Sequence, residues 1–327
     1  MSPTTTTTTQ IQQNNSGVPN KAPRGFHWRT RRSTARTRDG LFGYLALSPV
    51  LAVVGLLMGY PFYVAINLSL RGGDITNLAR LDELTLTFDN YIFVLTDPGL
   101  LGDIWRSCVY TLGVLVPAFA IGLGLALLLN RKFPGRRIIR PLVLLPWAIP
   151  GVAVSAAFSW MLDASYGVIN FLLRSVGLIE SNIAWLANSD TAMTAVIIPT
   201  VWKYYPFFTL VLLAALQAIP GEQYEAAQMD GANSRQQFKN VTWPAVRAAS
   251  ALAIIITGIG IFREFDFIYP LTRGGPSEAT QTLAIRIYTE AFQYFELGIA
   301  AALGVVTMAI AGTVLVAAGR FIRNDSA

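Results

Sequence analysis

Residues 225–231 read EAAQMDG: two acids, small residues and a glycine, set between long apolar runs. Pro220 suits the first position of a helix, where a missing N–H has no partner to lose. Gly231 suits its end. Helical spacing then puts Glu222, Glu225, Ala226 and Met229 on one face and Tyr224, Ala227, Gln228 and Gly231 on the other. A helix of about three turns is marginal alone because nucleation is costly, so this one needs a surface to lean on. Two surfaces are open to it, the bilayer and another protein. Its acids and weak apolar face argue against the bilayer, since membrane-surface helices are usually rich in Lys and Arg. Ser234 to Gln237 reads as a capping box that starts a second helix. Trp243-Pro244 then leads into the next apolar run.

Outward from this stretch the chain is built for lipid. Of 327 residues, 53% are hydrophobic and 13% charged, with mean hydropathy +0.46, against about 25% charged for soluble domains. Four charge-free runs reach the ~20 residues that cross a bilayer: Gly40 to Leu70, Ser107 to Asn130, Pro141 to Leu162 and Leu297 to Gly319. Two more carry charge, Thr191 to Gly221 with Lys203, and Ala248 to Pro270 with Arg263, Glu264 and Asp266. The expected fold is therefore all-α, a polytopic integral membrane protein with six transmembrane helices over residues 41–320. Pro117, Pro146, Pro150, Pro199 and Pro206 are expected to interrupt spans two to four, and Gly55 with Gly59 forms a GxxxG pattern that permits close helix contact. Residues 1–40 lack a continuous apolar segment of signal-peptide type; their threonine-rich start is expected to be disordered, and residues 321–327 form a short tail. The single cysteine, Cys108, excludes an internal disulfide and reads as a packing residue.

Charge sets the orientation, because loops rich in Lys and Arg stay in the cytoplasm. Lys21, Arg24, Arg29, Arg31, Arg32, Arg36 and Arg38 precede the first span; Arg131, Lys132, Arg136, Arg137 and Arg140 follow the second. The loop 71–103 between them holds Asp74, Asp82, Glu83, Asp89, Asp97 and Asp103 against two arginines. Both termini and the loop 218–247 are thus expected inside the cell, in the plasma (inner) membrane. The net charge of +6 and pI near 9.5 belong to these span ends, which excludes nucleic acid as partner. The basic N-terminal segment is expected to rest on anionic membrane lipid.

EQYEAAQMDGANSRQQFKNVTWP resembles the cytoplasmic EAA loop of permease subunits of ATP-binding-cassette importers, with Glu225, Ala226, Ala227 and Gly231 at the family spacing and Trp243-Pro244 in place of Leu-Pro. FDNYIFVLTDPGLLGDIWRSCVYTLG, LLPWAIPGVAVSAAFSWMLD and FDFIYPLTRGGPSEATQTLAIRIYTEAFQYFELGIAAAL are similar to the carbohydrate-uptake branch. The resemblance implies that Glu225, Ala226, Ala227, Met229, Asp230 and Gly231 form a coupling helix gripped by an ATPase subunit. It implies four kinds of partner: a second homologous permease, two ATP-binding subunits, an extracytoplasmic solute-binding protein and a sugar substrate. ATP and Mg would be bound by the ATPase, with no cofactor and no metal in this chain, which has no GxxxxGK[ST] loop. PLTRGGPSEATQT is implied to lie near the external mouth.

A cation at the bilayer centre costs about 2.5–3.5 kcal/mol on insertion scales, so Lys203 needs a partner or water. Glu264 or Asp266 is the expected partner, either as a structural ion pair or as part of a path. Sugars present hydroxyls around apolar C–H faces, which calls for hydrogen-bonding groups beside aromatic walls. Trp202, Tyr204, Tyr205, Phe207 and Phe262 supply walls; Lys203, Glu264 and Asp266 supply hydrogen bonds. The resemblance maps Lys203, Tyr204, Phe207 and Glu264 onto substrate-contact positions. An alternative is a secondary transporter driven by an ion gradient, with those charges as coupling groups; it leaves the polar helix unexplained and lacks a detectable inverted repeat. A membrane enzyme is disfavoured, since the only histidine, His27, lies in the N-terminal tail and no nucleophile or metal-ligand set stands out.

Overall fold

A computed structural model describes residues 47–71 and 85–324. The expected basic tail, residues 1–40, lies outside the described residues. Two compact units divide the chain, residues up to Met58 and residues from Gly59 onward. In the first, residues 47–58 are helical and exposed.

The elements of the second unit are helices: α1 (Tyr60–Ser69), α2 (Asp89–Thr96), α3 (Pro98–Asn130), α4 (Arg136–Ala148), α5 (Gly151–Met161), α6 (Val168–Ser175), α7 (Ser189–Gln217), α8 (Gly221–Met229), α9 (Ser234–Phe262), α10 (Ile268–Thr272), α11 (Leu283–Phe292) and α12 (Leu297–Asn324). Five helical runs are long and apolar enough to cross a membrane, and a sixth crossing is made if the bent pair α4–α5 counts as one. The all-α, multi-span expectation holds.

The core pair is α3 against α7. At 1.5 Å per residue α3 is about 50 Å long, well beyond the ~30 Å hydrocarbon layer. One stripe of it is buried: Asp103, Ser107, Tyr110, Val114, Ala118, Gly122, Ala126 and Leu129, the i+3/i+4 spacing of a single helical face. Lipid gives no hydrophobic incentive for helices to associate, so close van der Waals fit must supply it, and small residues permit that fit. A Cβ at Gly122 would stand 2.5 Å from Phe208 Cβ and 3.0 Å from the Tyr205 carbonyl oxygen; one at Gly113 would stand 2.7 Å from Ile197 Cδ1. Gly55 and Gly59, by contrast, have open space where a Cβ would point.

The prolines behave differently from expectation. Pro117, Pro199 and Pro206 lie inside continuous helices, and Pro146 within α4. Of the five prolines, Pro150 alone stands at a break, where α4 and α5 meet at 95°. Proline's ring disfavours the helical region for the residue before it, and here that preference is followed: Ile149 is extended, with φ −79° and ψ 134°. The run Pro141 to Leu162 is therefore a bent pair and not one straight helix. The fifth span also ends earlier than its apolar run predicts, at Phe262, and it starts earlier, because Ser234 to Phe262 is one helical run through a wider turn at Phe238–Thr242.

Candidate functional site

The break leaves the last carbonyls of α4 without intrahelical donors. Lys203, at the midpoint of α7, supplies them. Its Nζ donates to the Trp147 carbonyl at 2.7 Å and to the Ile149 carbonyl. A cation there also meets the negative end of the helix dipole. This explains how the charge is accommodated in an apolar span. The expected pairing with Glu264 or Asp266 is not formed: among the described residues no carboxylate lies within 4.0 Å of the Lys203 ammonium.

The other side of the break carries the opposite charge. The first residue of α5, Gly151, packs so closely on the 266–267 turn that a Cβ there would lie 3.3 Å from Asp266 Cβ and 3.7 Å from its Oδ2. Ser155 donates to the Asp266 carbonyl at 2.8 Å. Among the described residues no side chain caps α5, and the Asp266 carboxylate lies near its first turn, where the positive end of the helix dipole favours a negative charge. Glu264 closes the cluster. Its Oε1 accepts from the N–H groups of Phe265 at 3.1 Å and Asp266 at 3.0 Å, and its Oε2 accepts from the Tyr204 hydroxyl at 2.8 Å. Beneath, the hydroxyls of Tyr110 and Thr200 meet at 2.8 Å.

Lys203, Tyr204, Glu264 and Asp266 thus gather around one helix break, with Asp266 exposed. Trp202 stands beside Phe158 with ring centroids 5.9 Å apart. The other named residues do not join them. Phe207 and Tyr205 pack into the α3–α7 core with Ala118, Phe208 and Leu212. Phe262 turns to a separate cluster with Leu100, Leu283 and Leu303.

The polar helix α8 has Pro220 as its N-cap and begins at Gly221, one residue later than the sequence predicts. Its end is a Schellman motif: Ala232 N–H donates to the Ala227 carbonyl at 2.9 Å and Gly231 N–H to the Gln228 carbonyl at 3.0 Å. This closure requires φ near +78° at Gly231, the left-handed region that a Cβ disfavours. The capping box starts one residue earlier than expected, with Asn233 and Gln236 exchanging side-chain and backbone bonds at 2.8 and 3.0 Å. Asparagine serves as N-cap as well as serine does. Tyr224 and Ala227 are half-buried, and the Tyr224 hydroxyl meets that of Thr242 at 3.0 Å. Glu222, Glu225, Ala226 and Met229 face outward, as do Asp230 and Gly231, and Met229 is 89% exposed.

A network that sequence reasoning missed closes the opposite end of α3. Asp103 is fully buried and accepts from Arg106 at 2.6 Å and Arg286 at 2.9 Å. Arg286 also pairs with Asp97 and lies 3.5 Å from Glu290. Arg106 Nε donates to the Gln281 carbonyl at 2.8 Å, and Ser107 accepts from Leu283 N–H at 2.9 Å. The loop after α10 is folded by Thr272 and Thr280, whose hydroxyls meet at 2.6 Å. Burial pushes the Asp97 carboxyl up, but the Gly99 N–H and the Arg286 guanidinium outweigh it and hold the group below the ordinary range. Burial lifts Glu290 above its ordinary value despite Arg286.

Comparison with known proteins agrees with this architecture. Residues 118–324 match the family model described as binding-protein-dependent transport system inner membrane component. The chain is 34% identical over 302 residues to the trehalose/maltose transport system permease protein of Thermococcus litoralis, covering 89% of this chain and 98% of the relative. It is 33% identical over 286 residues to the sulfoquinovosyl glycerol transport system permease protein of Agrobacterium fabrum, covering 88% and 92%. In fold it is similar to a chain of a bacterial ABC transporter involved in the import of the acidic polysaccharide alginate, with TM-score 0.75, 24% identity and coverage of 89% and 97%. The chain belongs to the family of binding-protein-dependent transport system inner membrane components.

Proposed function

We propose that this chain is the membrane-spanning permease subunit of an ATP-binding-cassette importer for a sugar or related small polar carbohydrate. Cargo moves by alternating access, driven by two separate ATPase subunits that hold the ATP and Mg. The observation that carries this reading is α8: a short helix whose own backbone fixes its end and whose outer face, Glu225, Ala226 and Met229, is exposed. Among the described residues its side chains make one hydrogen bond to the rest of the chain, from Tyr224. Closure of the ATPase pair would push on this helix, and the continuous run Ser234–Phe262 would carry the push to the Glu264 cluster. The sequence has no phosphate loop of its own. Charge along the chain supports placing both termini and α8 in the cytoplasm.

A sugar path along the broken span draws on Lys203, Tyr204, Glu264 and Asp266, with Phe207 and Phe262 behind them as packing. Asp266 is an exposed acid beside apolar helices, which supports a second, homologous permease across a shared polar path, since lipid is a poor neighbour for a carboxylate. An extracytoplasmic solute-binding protein would dock near the Thr272–Thr280 loop. The names of the relatives support carbohydrate cargo and offer no support for an ion-gradient mechanism.

The test is uptake in vesicles reconstituted with the ATPase subunits and binding protein, with ATP inside and ion gradients collapsed. Uptake that continues agrees with the proposal; uptake that stops overturns it. Glu225→Lys is expected to reach the membrane normally yet lose most ATP-driven uptake.

A further inference from the structure

The loop and first turns between the second and third spans hold Arg131, Lys132, Arg136, Arg137 and Arg140 without an acid. Two of these converge. With its amide oriented to satisfy both, Gln217 at the end of α7 accepts from Arg136 at 3.1 Å and from Arg140. The Nε atoms of both arginines are buried and, among the described residues, have no hydrogen-bond partner. Among the described residues no carboxylate lies within 4.0 Å of any of the five bases. Two guanidiniums sharing one neutral oxygen repel each other, and an anion beside them would offset that repulsion. An open cavity of about 530 Å³ lies beside them, lined by Lys132, Phe133, Gly135, Arg136, Arg137 and Ile138. The first turn of α4 meets it without a side-chain cap.

The same helix offers a second surface. Ile138, Leu142 and Leu145 follow at i, i+4 and i+7 and are 69%, 60% and 55% exposed, so one apolar stripe descends from the basic cavity along the span. A phosphate-sized anion with hydrocarbon attached fits both parts. We propose that this is a binding site for an acidic phospholipid, its phosphate held by Lys132, Arg136 and Arg137 and its acyl chains along Ile138, Leu142 and Leu145. The site lies where α3, α4 and α7 meet at the end from which α8 emerges. A bound lipid there would brace the base of the coupling helix. The inference rests on the membrane-span reading and is independent of which cargo is carried.

The test uses the full-length chain in vesicles of phosphatidylcholine containing a minority of phosphatidylglycerol, with retained lipid counted by mass spectrometry after extraction. Lys132→Gln with Arg137→Gln removes two exposed bases that make no side-chain hydrogen bond among the described residues. Each base lost is expected to lower phosphatidylglycerol retention about fivefold, the equivalent of about 1 kcal/mol per basic residue near a membrane surface. Arg174→Gln, on α6, is expected to leave retention unchanged. Three results would overturn the proposal. Retention unchanged in the double variant means that the bases hold no lipid. Displacement of phosphatidylglycerol by excess inorganic phosphate means that the site takes free phosphate. Unchanged retention with lost co-purification of the ATPase means that the patch is a protein contact.

Discussion

At one end of α3 the structure is tied by charge; at the other, a helix is held out from it. Asp103 is wholly buried and takes N–H groups from Arg106 and Arg286, which in turn reach Gln281, Asp97 and Glu290. The helix Gly221–Met229 has one side-chain hydrogen bond to its surroundings, among the described residues, and keeps its shape through backbone closures at Gly231 and Ala232. The contrast teaches where rigidity comes from in each case. The tied end draws on partners far away in sequence, so it resists deformation only when the whole bundle is assembled. The held-out helix is locally self-sufficient, so its outer face is free to serve another chain.

The largest effect is expected from breaking the tied end. Arg286→Leu leaves the buried Asp103 carboxylate short of a cation and should destabilise the detergent-solubilised protein by about 3–5 kcal/mol in thermal unfolding. Gly122→Leu, in the α3–α7 seam, should cost about 1–3 kcal/mol, because Phe208 and the Tyr205 carbonyl leave a side chain no room. Neither substitution touches α8. At the held-out end, Gly231→Ala should cost about 1 kcal/mol through its left-handed backbone. Gly231→Asn, which tolerates that conformation, should cost less while still placing a side chain on the outer surface, where Gly231 meets open space. Loss of ATP-driven uptake in both variants at normal membrane levels would locate the requirement in the surface; loss in the alanine variant alone would locate it in the shape. The smallest effect concerns pH. A folded-state value below the ordinary aspartate range means that Asp97 lends stability above that range and withdraws it as pH falls through the depressed value. Glu290, raised, works oppositely and costs stability as pH rises through its folded value. Asp97→Asn should flatten the acid side of a stability–pH profile, measured by unfolding between pH values on either side of the carboxylate range.

Legibility in the sequence divides along the same line. The polar helix is legible to within a residue at its start because its signals, Pro220, Gly231 and an Asn/Ser-x-x-Gln cap, are local. The spans are legible from composition. Proline alone does not say which helix breaks: Pro117, Pro199 and Pro206 stay within continuous helices, and Pro150 does not. Lys203 is marked by its charge as needing a partner, but backbone carbonyls carry no residue-type signature, so the carboxylates Glu264 and Asp266 stand out in their place. The Asp103 network is invisible for a related reason. Arg286 lies 183 residues from Asp103 and 189 from Asp97, and those acids read only as a charge bias of an outer loop.

On the proposed function, the exposed face of α8 is held by a separate ATPase. A photo-crosslinking group at Met229, in membranes containing the assembled transporter, measures this directly. The expected product is a covalent adduct with the nucleotide-hydrolysing subunit, with a yield that changes between ATP-bound and nucleotide-free states. Adducts with lipid or with this chain only, whatever the nucleotide, would contradict it.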